Sequence, residues 1–120
     1  MTQMMSFTKY EHQVMPKFRD QLNQAESVED VKKFFVATIQ DFLHKATEGK
    51  LNAAYEDISL LTAEQPGYSL ESNIKDSTEM KEMDNSDINA ILKRLAEHAV
   101  HRYIHLDKNN IKTNLKIKNH

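Results

Sequence analysis

The sequence predicts an all-α fold, a small helical bundle of three main helices plus a shorter helix. The 120 residues include only two glycines and two prolines, whereas a domain of short strands needs a turn residue about every eight to twelve positions. Apolar residues also recur at spacings of three and four, the period of an amphipathic helix. A chain of this length buries one modest core, so we expect a single helical domain over residues 1–107, followed by a basic tail at 108–120.

The first helix is expected near residues 6–25. One face of it is apolar and consists of Phe7, Tyr10, Val14, Phe18, Leu22 and Ala25. Pro16 interrupts this segment, and a proline inside a helix removes a backbone hydrogen bond and clashes with the preceding turn. We therefore expect either a kink at Pro16 or a new helix that begins with the proline in its first turn.

The second helix is expected near residues 28–48. Ser27 can cap its start, and Glu29 and Asp30 place acidic groups in its first turn. Gly49 can adopt the left-handed conformation that ends many helices. About two residues connect this helix to the first, which predicts that the two lie side by side. Its apolar face consists of Val31, Phe34, Phe35, Thr38, Ile39, Phe42, Leu43 and Ala46.

A shorter helix is expected after Gly49, because apolar residues continue there at helical spacing. The stretch from Tyr55 to Leu61 also suits a short strand, since tyrosine and isoleucine favour either state. Pro66 and Gly67 predict a turn. The polar and acidic residues 68–85 predict a loop or a short, weak helix. The residues at helical spacing are Leu51, Ala54, Tyr55, Ile58 and Leu61.

The third main helix is expected near residues 87–106. Asn85, Ser86 and Asp87 can each cap its start. Beyond Asp107, lysines alternate with apolar residues, a pattern that predicts either a short edge strand or a disordered arm. The apolar stripe of the helix consists of Ile88, Leu92, Leu95, Ala99, Tyr103 and Leu106.

The composition excludes several functional classes. The chain contains no cysteine, which rules out a disulfide scaffold, a thiolate metal site and a cysteine nucleophile, and which is compatible with the cytoplasm. No eighteen apolar residues run together and the start of the chain lacks a continuous apolar core, so we expect a cytoplasmic protein without a signal peptide or a membrane span. The sequence also lacks the Gly-x-Ser-x-Gly motif of a serine nucleophile, a glycine-rich phosphate-binding loop and the glycine motif of dinucleotide-binding folds. Their absence favours a non-catalytic protein without a cofactor.

A cluster of basic side chains on the third main helix is the candidate site. At 100° per residue, Arg94, His98, His101 and His105 lie on one polar flank within about 60°. Together with Arg102 they can bind an anion or an acidic partner, the more so as the pH falls towards the unperturbed histidine pKa of about 6.5. Residues 88–120 hold seven basic and two acidic residues, and residues 49–87 hold nine acidic and three basic ones. The acidic segment can neutralise the basic one within the fold, so a solvated helix face is the simpler interpretation.

A divalent transition metal is the alternative ligand. His101 and His105 are four residues apart, a spacing at which two helical imidazoles can meet one ion, and His98 lies on the same flank. A zinc site needs at least three protein ligands, so this alternative requires a further donor from another element. His12 or His44 could supply that donor.

Val100 and Ile104 widen the apolar arc of the last helix beyond its main stripe, which predicts a subunit interface.

Together these features predict a non-catalytic intracellular interaction or regulatory module. We expect a homodimer whose last helix and basic tail contact an acidic protein partner or a second subunit. Weak nucleic-acid binding is the remaining alternative, but no helix-turn-helix, zinc finger or aromatic stacking platform is recognisable.

Overall fold

The computed structural model describes residues 6–62 and 67–118, of which residues 108–118 are described by their helical backbone alone. The elements follow the order α1 (Thr8–Gln24), α2 (Val28–Ala46), a 3₁₀ turn (Tyr55–Asp57), β1 (Ile58–Leu61), β2 (Gly67–Leu70), α3 (Ser72–Lys75), α4 (Thr78–Glu82) and α5 (Ile88–Lys118). The three main helices predicted from the sequence are thus confirmed.

The prediction of an all-α fold is wrong, because β1 and β2 form a two-stranded antiparallel sheet. The segment read as a shorter helix contains only the 3₁₀ turn and β1. Ile58-Ser59-Leu60 and Tyr68-Ser69-Leu70 each alternate apolar, polar and apolar, which is the period of a strand, and the pairing sets Ile58 opposite Leu70 and Leu60 opposite Tyr68. The helical spacing of the same residues was a coincidence: Tyr55 and Leu61, two members of that pattern, are exposed. The predicted turn at Pro66 and Gly67 falls partly on residues 63–66, which lie outside the described residues.

The predicted edge strand or disordered arm after Asp107 is also wrong, since α5 continues to Lys118. No glycine or proline occurs between Ile88 and Lys118. Extending an existing helix adds one hydrogen bond for each residue fixed, whereas a new strand needs a partner edge. Asn119 and His120 lie outside the described residues.

Helix α1 runs uninterrupted through Pro16, which lies on its exposed side. Helix α2 begins as predicted, with the Ser27 hydroxyl accepting a hydrogen bond from the Asp30 N–H at 3.1 Å. It ends at a left-handed turn in which Glu48 has φ 53° and Gly49 has φ 85°. The predicted glycine cap is therefore confirmed.

One hydrophobic core unites these elements. Helices α1, α2 and α5 pack against one another, while β1 lies on α2 and α5 and β2 lies on α5. The apolar stripes predicted for the three helices supply the centre of this core. Its largest fully buried side chains include Phe18, Phe35, Phe42, Ile39, Leu92 and Leu95.

Candidate anion-binding groove

Helices α1 and α5 run in the same direction, and polar contacts tie them together along their length. At one end the Asp87 carboxylate accepts hydrogen bonds from the Phe7 N–H at 2.8 Å and from the hydroxyls of Ser6 at 2.8 Å and Thr8 at 3.1 Å. Burial by itself would raise the pKa of Asp87, but these hydrogen bonds outweigh it and the pKa is lowered. The carboxylate thus caps the N-terminus of α1 from the start of α5.

Arg94 and Glu11 form the middle contact. The guanidinium donates from Nε and Nη2 to the two carboxylate oxygens of Glu11, each at 2.9 Å. Glu11 is only 6% exposed, so Arg94 covers a carboxylate that would otherwise be buried without a counter-charge. The hydrogen bonds to Glu11 also raise the pKa of Arg94. Arg94 is consequently engaged within the chain and is a poor candidate for binding an external anion.

Arg102 forms the contact at the other end. Its Nη2 donates to the carbonyls of Asn23 at 3.3 Å and Ala25 at 3.1 Å, which are among the carbonyls that the end of α1 leaves without helical partners. A cation at this position also complements the negative end of the helix dipole. The Nε of Arg102 is buried and has no hydrogen-bond partner within the described residues.

A groove of about 380 Å³ opens between these two helices. We call it the α1–α5 groove. Among the residues that the structure describes, no carboxylate lines it, and its charged or titratable side chains are two arginines and three histidines. Among the described residues, the side chains of Arg19, His98 and His101 have no hydrogen-bonding or ion-pair partner. Its lining consists of Arg19, Leu22, Asn23, His98, His101, Arg102 and His105.

The structure brings together four of the five residues that the sequence assigned to an anion site: His98, His101, Arg102 and His105. Arg94 is the exception, since it pairs with Glu11 instead. Arg19 was missed because nothing within α1 marks it as functional. Its position becomes informative only with the helix pairing, which places Arg19, Leu22 and Asn23, spaced by three and four residues, beside the histidines of α5.

The two apolar residues predicted at an interface differ in exposure. Val100 is 4% exposed and Ile104 is 40% exposed. Val100 is therefore covered within the chain and has little surface to offer a partner, whereas Ile104 retains an apolar surface.

The arrangement gives the metal alternative no additional support. Among the residues that the structure describes, no group of three or more histidine, aspartate or glutamate side chains is placed to hold a metal ion. His44 hydrogen-bonds through Nδ1 to the Asn52 Oδ1 at 2.7 Å, and His12 is exposed and does not line the α1–α5 groove.

Comparison of the chain with protein families, with curated proteins and with solved structures gives no match. The helices within residues 6–62 and 67–118 include none with an apolar stretch of the length that a membrane span requires. The interpretation of the α1–α5 groove therefore depends on its own chemistry.

Proposed function

We propose that this protein is a non-catalytic interaction module that binds an acidic segment of a partner protein in the α1–α5 groove. The observation that carries the proposal is the lining of the groove, in which the described side chains include arginines and histidines and no carboxylate. Since Arg19, His98 and His101 have no partner within the described part of the chain, an incoming carboxylate does not have to displace an internal contact of these three residues. Such complementarity favours the encounter with acidic partners over basic ones.

The spacing of the basic side chains fits a peptide rather than a single small anion. His98 and His105 are seven residues apart on α5, which is about 10 Å along the helix axis. Arg19 contributes from the facing helix. A segment with several carboxylates can meet these positions at once, and the combined contacts gain affinity that one carboxylate cannot supply.

NMR titration with a ten-residue glutamate-rich peptide tests the proposal. We expect the ring signals of His98 and His101 to shift and the affinity to fall as salt is added, because exposed charge pairs are screened. The double variant R19Q/H101Q should lose about tenfold in affinity, since exposed ion pairs contribute about 0.2–1 kcal/mol each. A lysine-rich peptide of the same length should not bind.

The matched control is K17Q/H12Q, which removes one cation and one histidine from exposed positions of α1 outside the groove. It should bind the acidic peptide within about twofold of the unaltered protein. Equal losses in the two variants would show that the binding depends on net charge alone and would overturn the proposal. Equivalent shifts caused by inorganic phosphate at the same concentration would assign the groove to free anions.

A second copy of this chain is the second candidate partner, and the exposure of Ile104 favours it. Homodimers commonly bury apolar residues of this kind in a self-complementary interface. Native mass spectrometry of untagged protein, prepared without a chelator, reports the number of subunits and any retained metal together. We expect a metal-free dimer for the unaltered chain and a monomer for Ile104→Glu. A monomer at all concentrations would end the dimer proposal, and one bound metal ion per chain would restore the metal alternative.

A further inference from the structure

The two-stranded sheet has an open edge at β2. The Glu71 N–H donates to the Asp57 carbonyl at 2.9 Å, one position beyond the pair formed by Ile58 and Leu70. Antiparallel pairs alternate between those that exchange backbone hydrogen bonds and those that do not. The backbone hydrogen bonds therefore belong to Ser59 with Ser69 and to Leu61 with Gly67, and the peptide groups of Tyr68 and Leu70 point away from β1.

These outward peptide groups have no partner within the described residues. Neither the N–H nor the carbonyl of Tyr68 or Leu70 takes part in a turn, loop or side-chain hydrogen bond there. The opposite edge is partly closed, since the Ile58 N–H donates to the Tyr55 carbonyl in the 3₁₀ turn. An open row of alternating donors and acceptors is a template for another strand.

A cavity of about 510 Å³ lies beside β2. Tyr68, Ser69 and Leu70 line it together with the α3–α4 segment, from which the buried Met80 contributes an apolar side chain. The Tyr68 hydroxyl donates to the Asn89 Oδ1 at 3.4 Å. Burial raises the pKa of Tyr68, so its hydroxyl remains a neutral donor.

The charged side chains that line this cavity balance, with two lysines and two aspartates. Lys75 and Lys81 line it, as do Asp76 and Asp84. Unlike the α1–α5 groove, the cavity therefore does not select a ligand by charge. What distinguishes it is the strand edge on its wall, whose four unpaired peptide groups match an extended backbone.

We propose that an extended peptide segment of a partner protein adds to β2 as a third strand, with its backbone bonded to Tyr68 and Leu70 and an apolar side chain against Met80. Four residues of such a strand span about 13 Å, the length of β2. A second copy of this chain is a poorer occupant, because pairing through its own β2 would bring a second α3–α4 segment into the same space. This proposal is independent of the α1–α5 groove.

Selection from a random library of eight-residue peptides displayed on phage, against the full chain, supplies the probe for the test. The best peptide is then synthesised, and amide hydrogen exchange is measured with and without it. We expect exchange at Tyr68 and Leu70 to slow at least tenfold on binding. Exchange at Ser69, which is already bonded to β1, should change much less.

Changes in the peptide and in the protein test the backbone pairing separately. N-methylation of the peptide should reduce its affinity about tenfold at every second residue and only slightly at the residues between, because only alternate N–H groups face β2. In the protein, Leu70→Pro removes the outward N–H, which an edge strand tolerates, and should lose the peptide, whereas the matched variant Leu70→Val should keep it. Far-UV circular dichroism establishes that both variants are folded.

Three results would overturn the proposal. The first is that no peptide is enriched or that the selected peptide leaves exchange at Tyr68 and Leu70 unchanged. The second is that N-methylation acts without a period of two. The third is concentration-dependent protection of the same amides in peptide-free protein, which would assign the edge to a second copy of the chain.

Discussion

Glu11 illustrates how a single charged residue can be placed on the apolar face of a helix. It lies four residues after Phe7 and three before Val14, so its position in the stripe was readable from the sequence. A buried carboxylate requires a cation or hydrogen-bond donors. This requirement implies a basic partner for Glu11, and Arg94 fills that role, which leaves the candidate site with one arginine fewer.

The Glu11–Arg94 pair should stabilise the fold measurably. Arg94→Ala leaves the Glu11 carboxylate buried without its two hydrogen bonds, and we expect the free energy of unfolding to fall by about 2 kcal/mol, since hydrogen bonds to charged groups contribute about 1.5–3 kcal/mol. Urea denaturation of Glu11→Gln, Arg94→Ala and the double variant measures the coupling between them. Additive losses in the double variant would show that the two residues act independently.

Asp87 should make stability depend on acid. Its pKa is lowered in the folded protein, so its stabilising contribution is present above the unfolded pKa and is lost as the pH falls through the folded value. We expect the difference in unfolding free energy between the unaltered protein and Asp87→Asn to be largest near neutral pH and to shrink between about pH 5 and pH 2, where aspartate becomes neutral.

Asp87→Ala provides the companion measurement at neutral pH. It removes the cap of α1 and should cost about 1 kcal/mol or more, in the range found for lost N-caps. Asp84, an exposed neighbour, is the matched control, and Asp84→Asn should leave both the stability and its pH dependence nearly unchanged. A pH-independent difference between Asp87→Asn and the unaltered protein would contradict the role assigned to this carboxylate.

The two ends of α2 were easier to predict than the type of the segment that follows it. Ser27 and Gly49 act through their own backbone and side-chain chemistry, so their positions were readable without the fold. A short strand between Tyr55 and Leu61 was the alternative that the structure confirms for residues 58–61. A helix was preferred because Tyr55, Ile58 and Leu61 fit a helical period, whereas Ile58, Leu60, Tyr68 and Leu70 fit a strand period. Only the pairing of two segments separated along the chain decides between these interpretations.

Gly49 and Gly67 allow a comparison of glycine substitutions with and without a left-handed backbone. Gly49 has φ 85°, and an added Cβ would meet the His44 ring no closer than 3.5 Å. The cost of Gly49→Ala is therefore that of the left-handed backbone, about 1 kcal/mol. At Gly67 an added Cβ meets no atom of the described residues within 4 Å, and Gly67→Ala should change the stability by less than about 0.5 kcal/mol. Thermal unfolding compares the two, and an equal loss in both would refute the backbone explanation.

The three-helix core was predictable as a whole because its stripes repeat over many turns. Phe18, Phe35 and Leu92 were assigned to it correctly, and each is fully buried. The α1–α5 groove was predictable only in part. Its histidines share one helix, whereas Arg19 joins them through a packing between α1 and α5 that no local pattern specifies.

Core and surface leucines should differ sharply in their effect on the whole molecule. Leu92 is 0% exposed and Leu61 is 42% exposed. We expect Leu92→Ala to reduce the free energy of unfolding by about 2–5 kcal/mol and Leu61→Ala by less than about 0.5 kcal/mol. Urea denaturation with a common slope measures both. A large loss at Leu61 would indicate that its surface is covered by another chain.

The contacts between α1 and α5 join residues that are synthesised far apart in time. Phe7 and Asp87 are 80 residues apart, and Ala25 and Arg102 are 77 residues apart. At a translation rate of about 5–20 residues per second, the ribosome synthesises these 80 residues in roughly 4 to 16 seconds. Helix α1 is therefore made that long before the residues of α5 that cap it and cover its apolar face. During that interval the nascent chain presents the apolar faces of α1 and α2 without their covering helix, in the form that chaperones recognise.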